Sequence, residues 1–129
     1  MIETDVLIVG SGPAGSTAAL ALSSYGIRNM VVTKYRWLSD TPRAHNTNQR
    51  AMEIFRDLGV EEEAKAKAVP QALMGNSVFC TALAGEELGR LRSWGTHPSR
   101  KADYDLASPT EICDLPQNFL EPILLGNAA

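Results

Sequence analysis

The feature that most restricts how this chain can fold is a short apolar run that stops dead in a glycine turn. Val6-Leu7-Ile8-Val9 is β-branched or Leu throughout, the pattern of a strand buried on both faces of a parallel sheet. It ends at Gly10-Ser11-Gly12-Pro13-Ala14-Gly15, a GxGxxG string. From Ala14 onward, Ala18, Ala21, Leu22 and Tyr25 recur at helical spacing, and Gly26 stands where a helix would close in a left-handed conformation. Met30-Val31-Val32-Thr33 reads as a second strand. A helix crossing between two such strands makes them parallel neighbours with a right-handed connection, so residues 1–34 are predicted to form a βαβ unit.

Each glycine of the turn has a physical reason. Gly10 serves the tight turn, Gly12 the close approach of backbone to a pyrophosphate, and Gly15 the close contact of helix and strand. The helix N-terminus then presents unpaired N–H groups and a positive dipole end to phosphate. An isolated GxGxxG is weak evidence, but here it follows a strand, opens a helix and sits in a unit of about thirty residues, which points to a dinucleotide. Gly10, Ser11, Gly12, Pro13, Ala14 and Gly15 are therefore candidate cofactor-binding residues. The pattern continues with Ala19 and Gly26, and Asp5 opens the strand.

Thr33 departs from the usual site, which places an Asp or Glu near this point to bind the adenosine ribose. Two readings stand at this stage. The Thr33 hydroxyl bonds the ribose more weakly than a carboxylate does, or Lys34 and Arg36 accommodate the extra phosphate of NADP.

Residues 34–49 carry turn chemistry without periodicity and are predicted to be a loop. Thr47 is the expected N-cap of a helix whose apolar face carries Ala51, Met52, Ile54, Phe55 and Leu58, closed by Gly59. Glu61-Glu62-Glu63 followed by Lys65 and Lys67 predicts a short helix ending before Pro70. Ser77 to Leu83 and Glu87 to Trp94 read as a β-hairpin. Asp114 is the expected cap of a helix from Leu115 to Leu125, with Pro116 in its first turn, a kink at Pro122 and Gly126 beyond its end.

Composition narrows the function classes. At 129 residues the chain suits one domain or part of one, and is small for an enzyme holding both a dinucleotide and a second substrate. The net charge of -3 and the lack of interleaved basic and aromatic residues argue against nucleic-acid binding. No stretch is long enough to span a membrane, so the expected setting is cytoplasmic. Cys80 and Cys113 have no paired spacing and are expected to be small buried apolar residues; with His45 and His97 they form no metal set. His45 is expected to be a hydrogen-bonded loop side chain, His97 a surface residue, and Trp37 and Trp94 core residues.

The extended glycine pattern with Asp5, followed by DTPRAH, NQR, VFCTALAGEELGRLRSWG and LPQNFLEPIL, resembles the single-component FAD-dependent aromatic hydroxylases, in particular their phenol and chlorophenol monooxygenase branch. The similarity covers essentially the entire chain, and the VVTKYRW wording at the second strand makes Thr33 a trait of that branch. The resemblance implies an α/β fold: a Rossmann-like FAD-binding βαβ unit with an inserted hairpin, in an incomplete domain. Residues 1–129 would be the N-terminal part of the FAD-binding domain, with the 77–94 hairpin on the substrate-domain side.

It further implies FAD as cofactor, NADPH as reductant, and ortho-hydroxylation of a phenol with dioxygen. Arg43 and Gln117 match the family's cofactor-contacting arginine and glutamine, and Thr33 and Lys34 complete the set. The family's later D-G and G-D segments are absent from this sequence, so catalytic residues are expected downstream of Ala129. The alternatives are an NADP-dependent Rossmann reductase and a non-catalytic nucleotide-binding module.

Overall fold

The computed structural model describes residues 3–129, so the first two residues of the expected 1–34 unit lie outside the described residues. Strand β1 (Val6–Val9) leads into helix α1 (Pro13–Ser24) and returns to β2 (Asn29–Val32). The two strands pair parallel, Val6 opposite Asn29 through Val9 opposite Val32. The predicted βαβ unit is thus present, with Thr33 just past the second strand. Asp5 accepts two hydrogen bonds from the Arg28 guanidinium, at 3.1 and 2.8 Å, which fastens the start of one strand to its neighbour.

Two expectations for this unit fail. The strand is not buried on both faces, since Leu7 and Val9 are 57% and 82% exposed and only the face toward α1 is covered. The helix buries Ser16, Ala19 and Leu20 rather than Ala18 and Tyr25. Its main partner is another helix, α5 (Gln117–Ala128), and this contact rotates the buried stripe away from the expected one.

Between these helices the chain forms α2 (Gln49–Asp57), α3 (Glu61–Lys67), a hairpin of β4 (Ser77–Cys80) and β5 (Glu87–Leu91), and α4 (Pro98–Ala107). Two-residue strands β3 (Asn46–Thr47) and β6 (Cys113–Asp114) pair antiparallel. The core gathers Leu20, Met52, Phe55, Val60, Ala64, Cys113, Leu115, Leu120, Ile123 and Leu124. Helix α5 is its spine, contacting both α1 and α3. Burial of its Ile123 and Leu124 contributes roughly 1.5–3 kcal/mol per side chain.

Several predicted ends move, each for a local reason. Asn48, not Thr47, caps α2, its side chain accepting from the Ala51 amide at 2.9 Å, because Thr47 is engaged in β3. Asp114 does not cap α5: it belongs to β6 and its carboxylate bonds His45, so Pro116 takes the cap position. Gly126 does not end that helix, which runs on to Ala128 under side-chain bonds from Asn127 to the Ile123 carbonyl and from Ser23 to the Ala128 carbonyl. Gly26 and Gly59 do take left-handed conformations, with φ of 71° and 76°.

Helix α4 is absent from the sequence-based expectation. It buries no residue, so it carries no apolar stripe to read. Its signals are instead Pro98 in the first turn and the ion pairs Arg100–Asp103 and Lys101–Asp105 at helical spacing. His97 is its cap, accepting from the Ser99 amide, a role beyond that of a surface residue.

The hairpin strands are shorter than predicted, because the register shifts between Phe79 and Cys80. Val78, Phe79, Leu83, Leu88 and Leu91 are all exposed. Cys80 is exposed as well, whereas Cys113 is buried in the core and its thiol is pushed up to about 11, chiefly by burial. Among the described residues no helix is long and apolar enough to cross a membrane.

Candidate functional site

The glycine turn is built as the sequence implies, though each glycine acts differently. Gly10 has φ of 109°, a conformation that an L side chain strains, and its amide bonds the Val32 carbonyl at 2.7 Å. A β-carbon on Gly15 would stand 2.0 Å from the Gly10 carbonyl oxygen and 3.3 Å from Ile8 Cγ2, so only glycine lets the helix approach the strand. A β-carbon on Gly12 would meet only Glu121 Oε1, at 3.9 Å, and otherwise enter open space. Ser16, fully buried, donates to the Ser11 carbonyl at 2.8 Å and locks the turn onto the helix. Among the described residues no side chain caps the N-terminus of α1.

That turn forms one wall of a cleft of about 930 Å³. Gly10, Ser11 and Gly12 line it, while Pro13, Ala14 and Gly15 do not and shape the turn from behind. The second wall follows β2: Val32, Thr33, Lys34 and the loop through Asp40 to Arg43. The third is the start of α5, with Gln117 and Glu121. The structure therefore brings together Gly10, Ser11, Gly12, Thr33, Lys34, Arg43 and Gln117.

Arg43 and Gln117 are far apart in sequence and meet because the segment after Arg43 is stitched to the entry of α5. Gln117 donates its amide to the Ala44 carbonyl at 2.8 Å, and Leu115 donates to the His45 carbonyl at 2.7 Å. The pairing of β3 with β6 continues the seam. His45 is a hydrogen-bonded loop side chain as expected: its Nδ1 lies 2.5 Å from Asp114 Oδ1.

The loop's cations, Lys34, Arg36 and Arg43, face the cleft with Asp40 and Glu121 as its acids. Lys34 lies 5.0 Å from the Tyr35 ring and Arg36 5.5 Å from that of Trp37. Trp37 is 76% exposed in the cleft wall, which overturns its expected place in the core; Trp94 is partly buried. The Thr33 hydroxyl accepts from the Tyr35 amide at 3.3 Å, which leaves its own proton free to donate.

Sequence reasoning missed Glu121 as a site residue. Its Oε1 accepts from Gln117 Nε2 at 2.6 Å and its Oε2 from the Ser39 amide at 2.7 Å. The legible signal was its spacing of four from Gln117 on one helix.

An uncapped helix start, a glycine with room beside it and a cationic loop together fit a dinucleotide pyrophosphate, and the comparisons with known proteins decide the family. The model described as "FAD binding domain" matches residues 3–129. The chain belongs to the FAD binding domain family. The FAD-binding domain is 62% identical over 128 residues to a phenol 2-monooxygenase from Pseudomonas sp. (strain EST1001), covering 99% of this chain and 21% of that protein. It is 60% identical over 129 residues to a 2,4-dichlorophenol 6-monooxygenase from Delftia acidovorans, covering 100% of this chain and 22% of that protein. Among solved structures, the flavin-dependent monooxygenase PieE in complex with FAD and substrate superposes with a TM-score of 0.91 at 49% identity, over 98% of this chain and 22% of that one. The chain thus spans about a fifth of the length of these relatives.

Proposed function

We propose that this chain supplies the N-terminal part of the cofactor site of an FAD- and NADPH-dependent monooxygenase that hydroxylates phenols or chlorophenols ortho to the ring hydroxyl. The observation that carries this reading is the cleft itself. Its glycine turn, cationic loop and α5 start converge on one space, in a chain more than half identical to phenol and dichlorophenol monooxygenases.

In this reading the start of α1 and the Gly12 backbone take the pyrophosphate, helped by Arg43. Thr33 donates to the adenosine ribose, and Gln117 offers its carboxamide to the cofactor from the opposite wall. Bound FAD, once reduced, supplies the dioxygen chemistry, and the protein orients it and excludes water. The exposed 77–94 hairpin belongs to the substrate-domain side, where its uncovered Val78, Phe79 and Leu83 find apolar partners. Relatives named as monooxygenases support this reading over the NADP reductase, and Lys34 and Arg36 each lie by an aromatic neighbour on the loop.

The test is to purify the full-length protein carrying this sequence, record its visible absorption and follow phenol-dependent NADPH oxidation. A yellow protein with coupled ring hydroxylation is expected. A colourless protein that binds NADPH and is not reconstituted by FAD would favour the reductase instead.

A further inference from the structure

Glu121 has a place in the cleft that packing does not explain. It is only 3% exposed, whereas the other charged residues of the lining are on the open walls. Among the described residues it makes no ion pair, so its burial is offset by hydrogen bonds alone. An apolar side chain of similar volume at this helical position would be buried more cheaply. A carboxylate beside a pyrophosphate turn is moreover repulsive to the ligand unless its oxygens are engaged by donors. Both of them are, and the two donors belong to two different walls.

One donor is the Gln117 carboxamide, which offers two N–H groups and a carbonyl. Its Nε2 bond to Glu121 Oε1, at 2.6 Å, fixes which way the amide is turned. The second N–H and the carbonyl oxygen are left for a ligand. The other donor is the Ser39 amide, 82 residues away, at the root of the loop that carries Arg43. The same loop is braced at that point by the Ser39 hydroxyl on the Thr41 carbonyl and by the Arg43 amide on that same carbonyl. A single buried carboxylate therefore sets the orientation of one cofactor-facing side chain and the position of the loop bearing another.

We propose that Glu121 is a positioning residue for the cofactor, presetting the Gln117 carboxamide and the Ser39–Arg43 loop before the cofactor enters the cleft. The proposal rests on the FAD reading above. It follows the general rule that a ligand gains affinity from groups ordered in advance. Glu121 itself donates nothing to the cofactor and acts through its two partners.

The test uses the full-length protein with FAD as the titrant. The dissociation constant is measured by flavin fluorescence quenching and apo-protein stability by denaturant unfolding, for wild type, Glu121→Gln, Glu121→Met, Gln117→Ala and the double variant Gln117→Ala/Glu121→Met. Glu121→Met, with no carboxylate to bury, is expected to keep or raise apo stability while weakening FAD at least tenfold; Glu121→Gln, which keeps one acceptor, should fall between it and wild type. In the Gln117→Ala background, the Glu121→Met change should cost less than it does alone, because one of its two tasks is already gone. Unchanged or tighter FAD binding in Glu121→Met would overturn the proposal, as would fully additive losses in the double variant. Collapse of apo stability in both Glu121 variants would make the residue structural and overturn it too. A wild-type protein that fails to take up FAD would instead defeat the FAD reading on which the proposal stands.

Discussion

Gly15 sits so close to Gly10 that a β-carbon on it would lie 2.0 Å from the Gly10 carbonyl oxygen. The obstacle is backbone, which cannot swing aside as a flexible side chain does, and Ile8 closes the space from another direction. Gly15→Ala is therefore expected to destabilise the fold by at least about 3 kcal/mol, at or beyond the upper end for overpacking. Denaturant unfolding of the apo protein measures this. A loss within about 0.5 kcal/mol, the ordinary range for harmless surface changes, would show that helix and strand do not meet as described.

How far this was legible differs between neighbours in the same turn. The β1–α1–β2 unit is written locally: an apolar run, a glycine string and a second apolar run specify it without distant partners. Strands β3 and β6 are not, because Asn46 and Thr47 become a strand only by pairing with Asp114 and Cys113. The same long-range pairing moved the α5 cap from Asp114 to Pro116 and drew Asp114 to His45. Within the site, Gly10, Gly12 and Gly15 were readable from physics, whereas Arg43 and Gln117 were singled out only through the family resemblance. Glu121 escaped notice because a buried acid on an apolar helix face gains meaning from Ser39, which periodicity does not connect to it.

Thr33 gives a second measurable consequence. Its hydroxyl has one proton to offer, so Thr33→Val should weaken FAD binding by about 1 kcal/mol, roughly fivefold. Thr33→Glu restores the more usual carboxylate and should be tolerated if this position faces the ribose. Equilibrium titration with FAD distinguishes the cases: disruption by Glu would place a phosphate there, and no effect of Val would turn the hydroxyl away from the cofactor.

Stability should depend on acid through Glu61. Burial alone raises the Glu61 carboxyl, but hydrogen bonds from Lys65 and Thr110, with the charges of Lys65 and Arg56, more than offset it and hold the group below its ordinary 4.5. The Lys65 ammonium lies 2.7 Å away. A group depressed in the folded state stabilises above its unfolded value, and that contribution is lost as pH falls through the folded value. Glu61→Gln should thus cost about 1.5–3 kcal/mol at neutral pH, the scale of hydrogen bonds to a charged group. The gap to wild type should narrow progressively below pH 4.5. Unfolding curves across this range check it; a gap that stays constant into acid would mean that the charge on Glu61 contributes nothing.

The central claim is that the open space beside Gly12 belongs to a cofactor, and Gly12→Ala tests it most directly. A β-carbon there meets nothing closer than Glu121 Oε1 at 3.9 Å, an ordinary contact. Apo stability should therefore change by no more than about 1 kcal/mol, the cost of alanine at a helix cap. FAD affinity of the full-length protein, measured by titration alongside wild type, should fall by tenfold or more, since the added methyl occupies the path of the pyrophosphate. FAD bound as tightly by Gly12→Ala as by wild type, at equal apo stability, would contradict the account.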